Sequence, residues 1–316
     1  ELHQLCLQAI EHIIERDYFH HFGINDQWKD FIQRSWQRQD PDLYGRFDFA
    51  YDGQQPPKLL EYNADTPTGL LEASVLQWDW LKGRHLPDQF NFIHEQLIKR
   101  WQALKQEKRI QEPVYFSADH DSGEDTVTTE YLRDTCEQAD LETAMIKIED
   151  IGWNGEVFTD LEEYVIPALF KLYPWEFIVA DDFSANVLKD QTQFIEPVWK
   201  MLLSNKALLP ILWELAPNHP NLLEAHFEEN AFNGHSYVKK AKLGREGASV
   251  QIIHPQHAEE SKGVYGDEGY VYQAYHPLPE HAGQYPVCGV WVVDGTACGL
   301  GIREDKTRIT RNTSNF

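Results

Sequence analysis

Segment 46–72 constrains this chain more than any other. It reads R-F-D-F-A-Y-D-G-Q-Q-P-P-K-L-L-E-Y-N-A-D-T-P-T-G-L-L-E. Arg46 and Asp48 sit two apart on an alternating, strand-like run, so both point to one face. A Gly- and Pro-rich turn follows at 53–57. The apolar run 58–60 then delivers Glu61 and Asn63, again two apart. If the two strands pair as a hairpin, Asp48, Glu61 and Asn63 converge. Two carboxylates and an amide oxygen form a hard-oxygen cluster of the kind that holds Mg²⁺ together with phosphate oxygens and water. Arg46 beside them suits the charge of a transferring phosphoryl group. The competing reading is a solvated acidic hairpin.

Composition bounds the rest. The chain has 316 residues with 42% hydrophobic content, enough for a sizeable core and two or three subdomains. A net charge of -23 excludes general nucleic-acid binding, which needs a basic footprint. It favours a cationic substrate such as a polyamine, although an ordinary acidic surface accounts for the total as well. Cys6, Cys136, Cys288 and Cys298 show no metal-ligand spacing and point to a reducing, cytoplasmic setting. No apolar run reaches the length of a membrane span, and no signal peptide is visible.

The chain pass predicts a mixed α and β protein. Residues 1–38 read as two helices. The turn 66–69 leads into a helix at 70–80, with Thr68 as N-cap. Residues 88–109 read as an amphipathic helix with Phe90, Phe92, Ile93, Leu97 and Trp101 on its core face. A strand at 114–116, an acidic loop at 119–125, a helix at 128–139 and a strand at 143–148 form a βαβ unit. Trp175 is expected in the core. Residues 236–275 have the pattern of a small antiparallel unit. A strand carries Lys239 and Lys240, Gly244-Arg245-Glu246-Gly247 forms a glycine-bounded turn, and 248–253 returns. Segment 287–303 alternates as two strands around Asp294-Gly295, a hairpin signal.

The string Leu60-Glu61-Tyr62-Asn63-Ala64-Asp65-Thr66-Pro67-Thr68, with the features that follow it in order, resembles the glutathionylspermidine synthase family. The likeness covers nearly the whole chain. The synthetase domain of that family is a variant ATP-grasp ligase. The resemblance implies an α+β / α/β, ATP-grasp-like fold with a pre-ATP-grasp βαβ subdomain and a small antiparallel lid. It divides the chain into 1–110 (helices and metal-binding hairpin), 111–190 (βαβ) and 191–316 (C-terminal part, lid about 236–275). No Cys-His constellation precedes residue 46, so the amidase half of the bifunctional synthases is not expected.

The same resemblance implies ATP and Mg²⁺ as cofactors and a two-step joining of an acid to an amine through an acyl phosphate. Asp48, Glu61 and Asn63 hold the metal, and Asp48 thereby also the nucleotide. Arg46 and Arg303 stabilise the transferring phosphoryl group. Lys206 and Lys240 hold the phosphates, and Glu246 and Gly247 close the lid. Gln273, Ala274, Tyr275 and His276 form a hinge that binds adenine by its backbone, so side-chain identity there is nearly free. Thr66, Thr68, Glu124 and Asp125 contact a peptide-like, glutathione-like acid and a polyamine or other amine. Thr66 and Thr68 replace family serines, Gly69 replaces a cysteine of some synthases, Asp125 replaces a glutamate, and Ala241 replaces a proline. These departures keep a second reading open: an ATP-grasp-like nucleotide- or polyamine-binding protein without ligase activity.

Overall fold

The computed structural model describes residues 1–86, 88–119, 123–311 and 313–316, the His257 side chain excepted. Strand Tyr44–Ala50 is buried along its whole length, and its two faces meet different surroundings. Phe47 and Phe49 point into a core built with the helices Leu2–Arg16 and Asp26–Gln37. Phe47 stacks on Tyr62 with centroids 3.7 Å apart. Each buried phenylalanine contributes about 1.5–3 kcal/mol, which fixes the register, because a one-residue slip would send these rings to the other face. On that other face Tyr44 stacks on Trp291 in a second core, and Arg46 and Asp48 follow it.

This strand is central in an antiparallel sheet ordered Thr296–Asp305, Tyr285–Val293, Tyr44–Ala50, Lys58–Asn63. The expected hairpin at 287–303 closes at Asp294 and Gly295, both with positive φ (49° and 69°), as a type I′ turn requires. A second antiparallel sheet is the lid: His257–Ser261, Val250–His254, Tyr237–Ala241, Tyr270–Ala274 and Ala225–His226. The third sheet is parallel, ordered Thr143–Met145, Val114–Ala118, Ala168–Leu172, Gln193–Ile195. Helix Gly123–Glu137 makes the crossover between its first two strands in sequence, as the βαβ reading expects. The last of its strands lies beyond residue 190. Trp175 is fully buried, with its indole N–H donating to the Glu196 carbonyl.

Two local expectations need correction. The amphipathic helix begins at Ile93 and runs to Gln106. Ile93, Leu97 and Trp101 are buried, but Phe90 and Phe92 are 46% and 57% exposed. Residues 90–92 are extended instead, because the Phe92 amide donates to the Cys298 carbonyl and the Leu300 amide to Phe90. The helix after the 66–69 turn reaches Gly83 through a π turn at Glu72–Leu76. The Gly69 carbonyl accepts the Ala73 amide; Thr68 instead gives its own carbonyl to the Arg46 guanidinium.

Candidate active site

Antiparallel pairing places Asp48 opposite Glu61 and Arg46 opposite Asn63. All four side chains therefore share a face. On the other flank Asp48 faces Gly289, where a Cβ would stand 2.9 Å from Arg46 Cδ. The missing side chain lets the Arg46 guanidinium lie along the strand. Arg46 Nε donates to Asp48 Oδ1 at 2.7 Å and Nη2 to Oδ2 at 2.9 Å, a bidentate pair. Arg303 lies across the sheet from these and donates to the same Oδ2 at 2.6 Å. It turns away from its neighbour Glu304, as strand alternation requires. Asp305 takes Arg311 instead.

The lid supplies the opposite wall. Lys240 donates to the Leu60 carbonyl at 2.8 Å and to Gln273 Oε1 at 2.7 Å. Lys206 pairs with Glu61 Oε2 at 2.9 Å and donates to the Gly244 carbonyl in the lid turn. Gly247 has φ +69°, and a Cβ there would lie 2.2 Å from the Thr310 carbonyl oxygen. The turn therefore packs against the 309–310 backbone at a position only glycine fits.

Between the sheets lies a cleft of about 1200 Å³, counting space open to solvent. Arg46, Asp48, Glu61, Asn63, Thr66, Thr68, Lys206, Lys240, Glu246, Gly247, Arg303 and the hinge residues Gln273, Ala274, Tyr275 and His276 all line it. Leu60, Leu223, Val238, Ile252 and Val287 make its apolar walls. Glu124 and Asp125 do not line it. They stand in the first turn of helix Gly123–Glu137, while His120, Asp121 and Ser122 of the same expected acidic loop lie outside the described residues. Burial, then Glu72, Asp125 and Glu246, push the Glu124 carboxyl above its ordinary value, and Arg46 pulls it down.

Charge is unevenly paired in the cleft. Arg46, Arg303, Lys206 and Lys240 face Asp48 and Glu61, so cations outnumber carboxylates. Burial lowers the Lys240 ammonium to about 8 despite Glu61, with Lys206 pushing the same way. Burial and Arg46 lower Arg303. Burial alone would raise Glu61, yet Lys206, Lys240 and Arg303 hold it well below the usual carboxylate range. Such a surplus of desolvated positive charge is costly and is relieved by a polyanion. No group of three His, Cys, Asp or Glu side chains among the described residues is placed to hold a metal by itself. Two carboxylates and one amide oxygen instead suit Mg²⁺ that keeps phosphate oxygens and waters as its remaining ligands.

One expectation about the hinge fails. Gln273 is 2% exposed. Its amide accepts from Lys240 and donates to the Leu59 carbonyl at 3.0 Å. Its side chain positions the lid lysine, so its identity is not free. Sequence reasoning also left Arg245 without a role. Its guanidinium donates to Thr66 Oγ1 at 2.8 Å and reaches Glu176 at 3.4 Å, joining the lid turn to the 66–69 turn. Its signal was the cation inside a glycine-bounded turn. Arg308 lines the cleft as well, and nothing in the local sequence marks it.

Two antiparallel sheets closing on a cation-lined cleft, with a parallel βαβ layer beside them, define an ATP-grasp-like protein. More narrowly, the chain belongs to the family described as glutathionylspermidine synthase preATP-grasp, whose model matches residues 1–316. A Haemophilus influenzae protein provisionally named acid–amine ligase is 46% identical over all of this chain and 84% of its own length. Trypanothione synthetase of Crithidia fasciculata is 28% identical, and the bifunctional glutathionylspermidine synthetase/amidase of Escherichia coli K12 is 26% identical. Both are matched by the whole chain, which spans 53% and 55% of their lengths. A crystal structure of a provisionally named gamma-glutamylcysteine synthetase from Methylobacillus flagellatus KT has the same fold, with a TM-score of 0.54 at 12% identity over 98% of this chain and 84% of that one. No helix among the described residues is long and apolar enough to cross a membrane.

Proposed function

We propose that the protein is an ATP- and Mg²⁺-dependent acid–amine ligase acting through an acyl phosphate. The observation that carries this is the surplus of cations (Arg46, Lys206 and Lys240 buried, Arg303 half-buried) over carboxylates in a cleft between two antiparallel sheets. The purine lies in the apolar slot between Leu60, Val238, Ile252 and Val287. The Ala274 and Tyr275 amides already donate to the Glu224 and Ser236 carbonyls, so base recognition at the hinge falls to other groups. Lys206, Lys240, Arg46 and Arg303 take the triphosphate. Asp48, Glu61 and Asn63 would hold Mg²⁺, which would neutralise charge on the phosphates.

The acid's carboxylate oxygen attacks the γ-phosphorus, the bond to the β-phosphate oxygen breaks, and ADP leaves. The amine nitrogen then attacks the acyl carbon, the carbon–oxygen bond to phosphate breaks, and the nitrogen loses a proton. Thr66 and Thr68 contact the acid; that both line the cleft supports this reading. Glu124 and Asp125, with Glu72 and Glu246 nearby, make the side open to solvent attractive to an ammonium group, and a polyamine fits that field. Four unpaired cysteines and the need for ATP fit a cytoplasmic setting. The three-part division belongs to this proposal, with the second part extended past 190 to include the strand Gln193–Ile195.

The test supplies ATP, Mg²⁺ and a pool of candidate acids and amines, and follows products by mass spectrometry. The expected product weighs one water less than acid plus amine. With ¹⁸O in the acid's carboxylate, label is expected in released phosphate. ATP-independent product, or phosphate without label, would overturn the mechanism.

A further inference from the structure

The side chains assigned to the metal are already engaged by groups assigned to the nucleotide. Asp48 Oδ2 accepts from Arg46 Nη2 at 2.9 Å, Arg303 Nη2 at 2.6 Å and Asn63 Nδ2 at 3.1 Å. Glu61 has Lys206 at 2.9 Å on one oxygen and Asn63 Nδ2 at 3.3 Å on the other. Asn63 thus turns its NH₂, not its oxygen, toward both carboxylates. A carboxylate offers about four lone-pair sites in all, and Asp48 already receives four N–H groups. A free divalent cation arriving here meets donors and positive charge.

The four cations differ in how firmly they are held. Arg46 is bidentate to Asp48, donates to the Thr68 carbonyl and lies over the Trp291 ring. It is locked in place. Arg303 makes one hydrogen bond to Asp48 from the sheet's outer strand, with its side chain 16% exposed. Lys206 is a flexible ammonium stem whose second bond goes to the lid turn. These two can leave while Arg46 keeps Asp48 compensated.

We propose that Asp48, Glu61 and Asn63 are a masked metal site: Arg303, Lys206 and the Asn63 NH₂ close it to a free divalent cation, and entry of a triphosphate opens it. The phosphates draw Arg303 and Lys206 away, and the Asn63 amide turns its oxygen inward. Metal and nucleotide are then taken up cooperatively, and each strengthens the other by the same factor. This rests on the nucleotide assignment made above.

The test measures Mn²⁺ affinity by electron paramagnetic resonance, with and without a non-hydrolysable ATP analogue. The proteins are wild type, Arg303→Gln, Lys206→Gln and Asn63→Asp, each checked for folding by its melt. Without nucleotide, wild type is expected to bind Mn²⁺ at least about tenfold more weakly than with it. Folded variants are expected to gain nucleotide-free Mn²⁺ affinity by about fivefold or more, because Arg303→Gln and Lys206→Gln each remove a masking positive charge and Asn63→Asp removes the NH₂. Equal wild-type affinity in the two conditions, or no gain in any folded variant, overturns the proposal. If the analogue does not bind, the nucleotide assignment fails, while the nucleotide-free comparison of variants with wild type still decides the masking.

Discussion

Arg303 and Asp48 are 255 residues apart and meet at 2.6 Å. The strands of one sheet that come first and last along the chain thereby share a single carboxylate. Asp48 also keeps Arg46, so loss of Arg303 does not leave a bare buried charge. Arg303→Gln should therefore destabilise by well under the ~3–5 kcal/mol of breaking a buried pair outright. Its cost should fall on turnover instead, about 10²–10³ in kcat for a preorganised group that meets charge in the transition state. Arg303→Lys should recover part of that. Urea melts and steady-state kinetics separate the two effects; an unchanged kcat in Arg303→Gln would remove the residue from the catalytic set.

Lys240 gives a pH signature. Its ammonium is lowered by burial to about 8 in the free protein, well below its unfolded value of about 10.4. Between those values the unfolded chain binds more protons, so the stability penalty from Lys240 is full below about pH 8 and fades as pH rises toward 10. A triphosphate acts oppositely and raises the group again. Nucleotide binding should then take up a proton near pH 8 and weaken above it. Calorimetry in buffers of different ionisation enthalpy reads this uptake directly, and Lys240→Met should abolish it.

The lid turn can be probed at Gly247. A Cβ there meets the Thr310 carbonyl at 2.2 Å in a left-handed backbone. Gly247→Ala should cost about 1–3 kcal/mol locally, displace the turn, and raise the KM for nucleotide by about tenfold or more. Limited proteolysis within 244–249 should speed up in parallel. A variant with wild-type KM and cleavage rate would mean that the turn does not need its present seat.

How much of this was legible follows from range. The facing of Asp48 and Glu61 needed a period of two and one turn, both local. Arg303 pointing away from Glu304 needed alternation alone. Phe90 and Phe92 misled because apolar spacing in 88–101 suits a helix, while the backbone of the last strand, two hundred residues away, captured 90–92 in extended form. Gln273 looked free because its role lies in a contact with a lysine on the neighbouring strand. Glu196 and Lys200 stand at i, i+4 in plain view, but their full burial, with Glu196 also holding the Leu43 and Tyr44 amides, depends on the assembled sheets.

The buried pair Lys171–Asp65 was invisible for the same reason, and it offers a test of how the 66–69 turn is anchored. Lys171 is fully buried, 2.6 Å from Asp65, with its ammonium over the Trp175 ring. Asp65 also accepts the Trp175 amide at 2.9 Å and directly precedes Thr66. Burial lowers the Lys171 ammonium despite Asp65, so desolvation outweighs pairing there. Lys171→Met alone strands the Asp65 carboxylate and should destabilise by about 3–5 kcal/mol, whereas Lys171→Met with Asp65→Asn should recover most of that loss. The double variant keeps an amide oxygen for the Trp175 N–H, so Thr66 should stay in place and the KM for the acid should remain near wild type. Thermal melts and a double-mutant cycle measure the first effect. A double variant no more stable than Lys171→Met would show that the charge pair itself, rather than the relief of a stranded carboxylate, holds the parallel sheet to the turn.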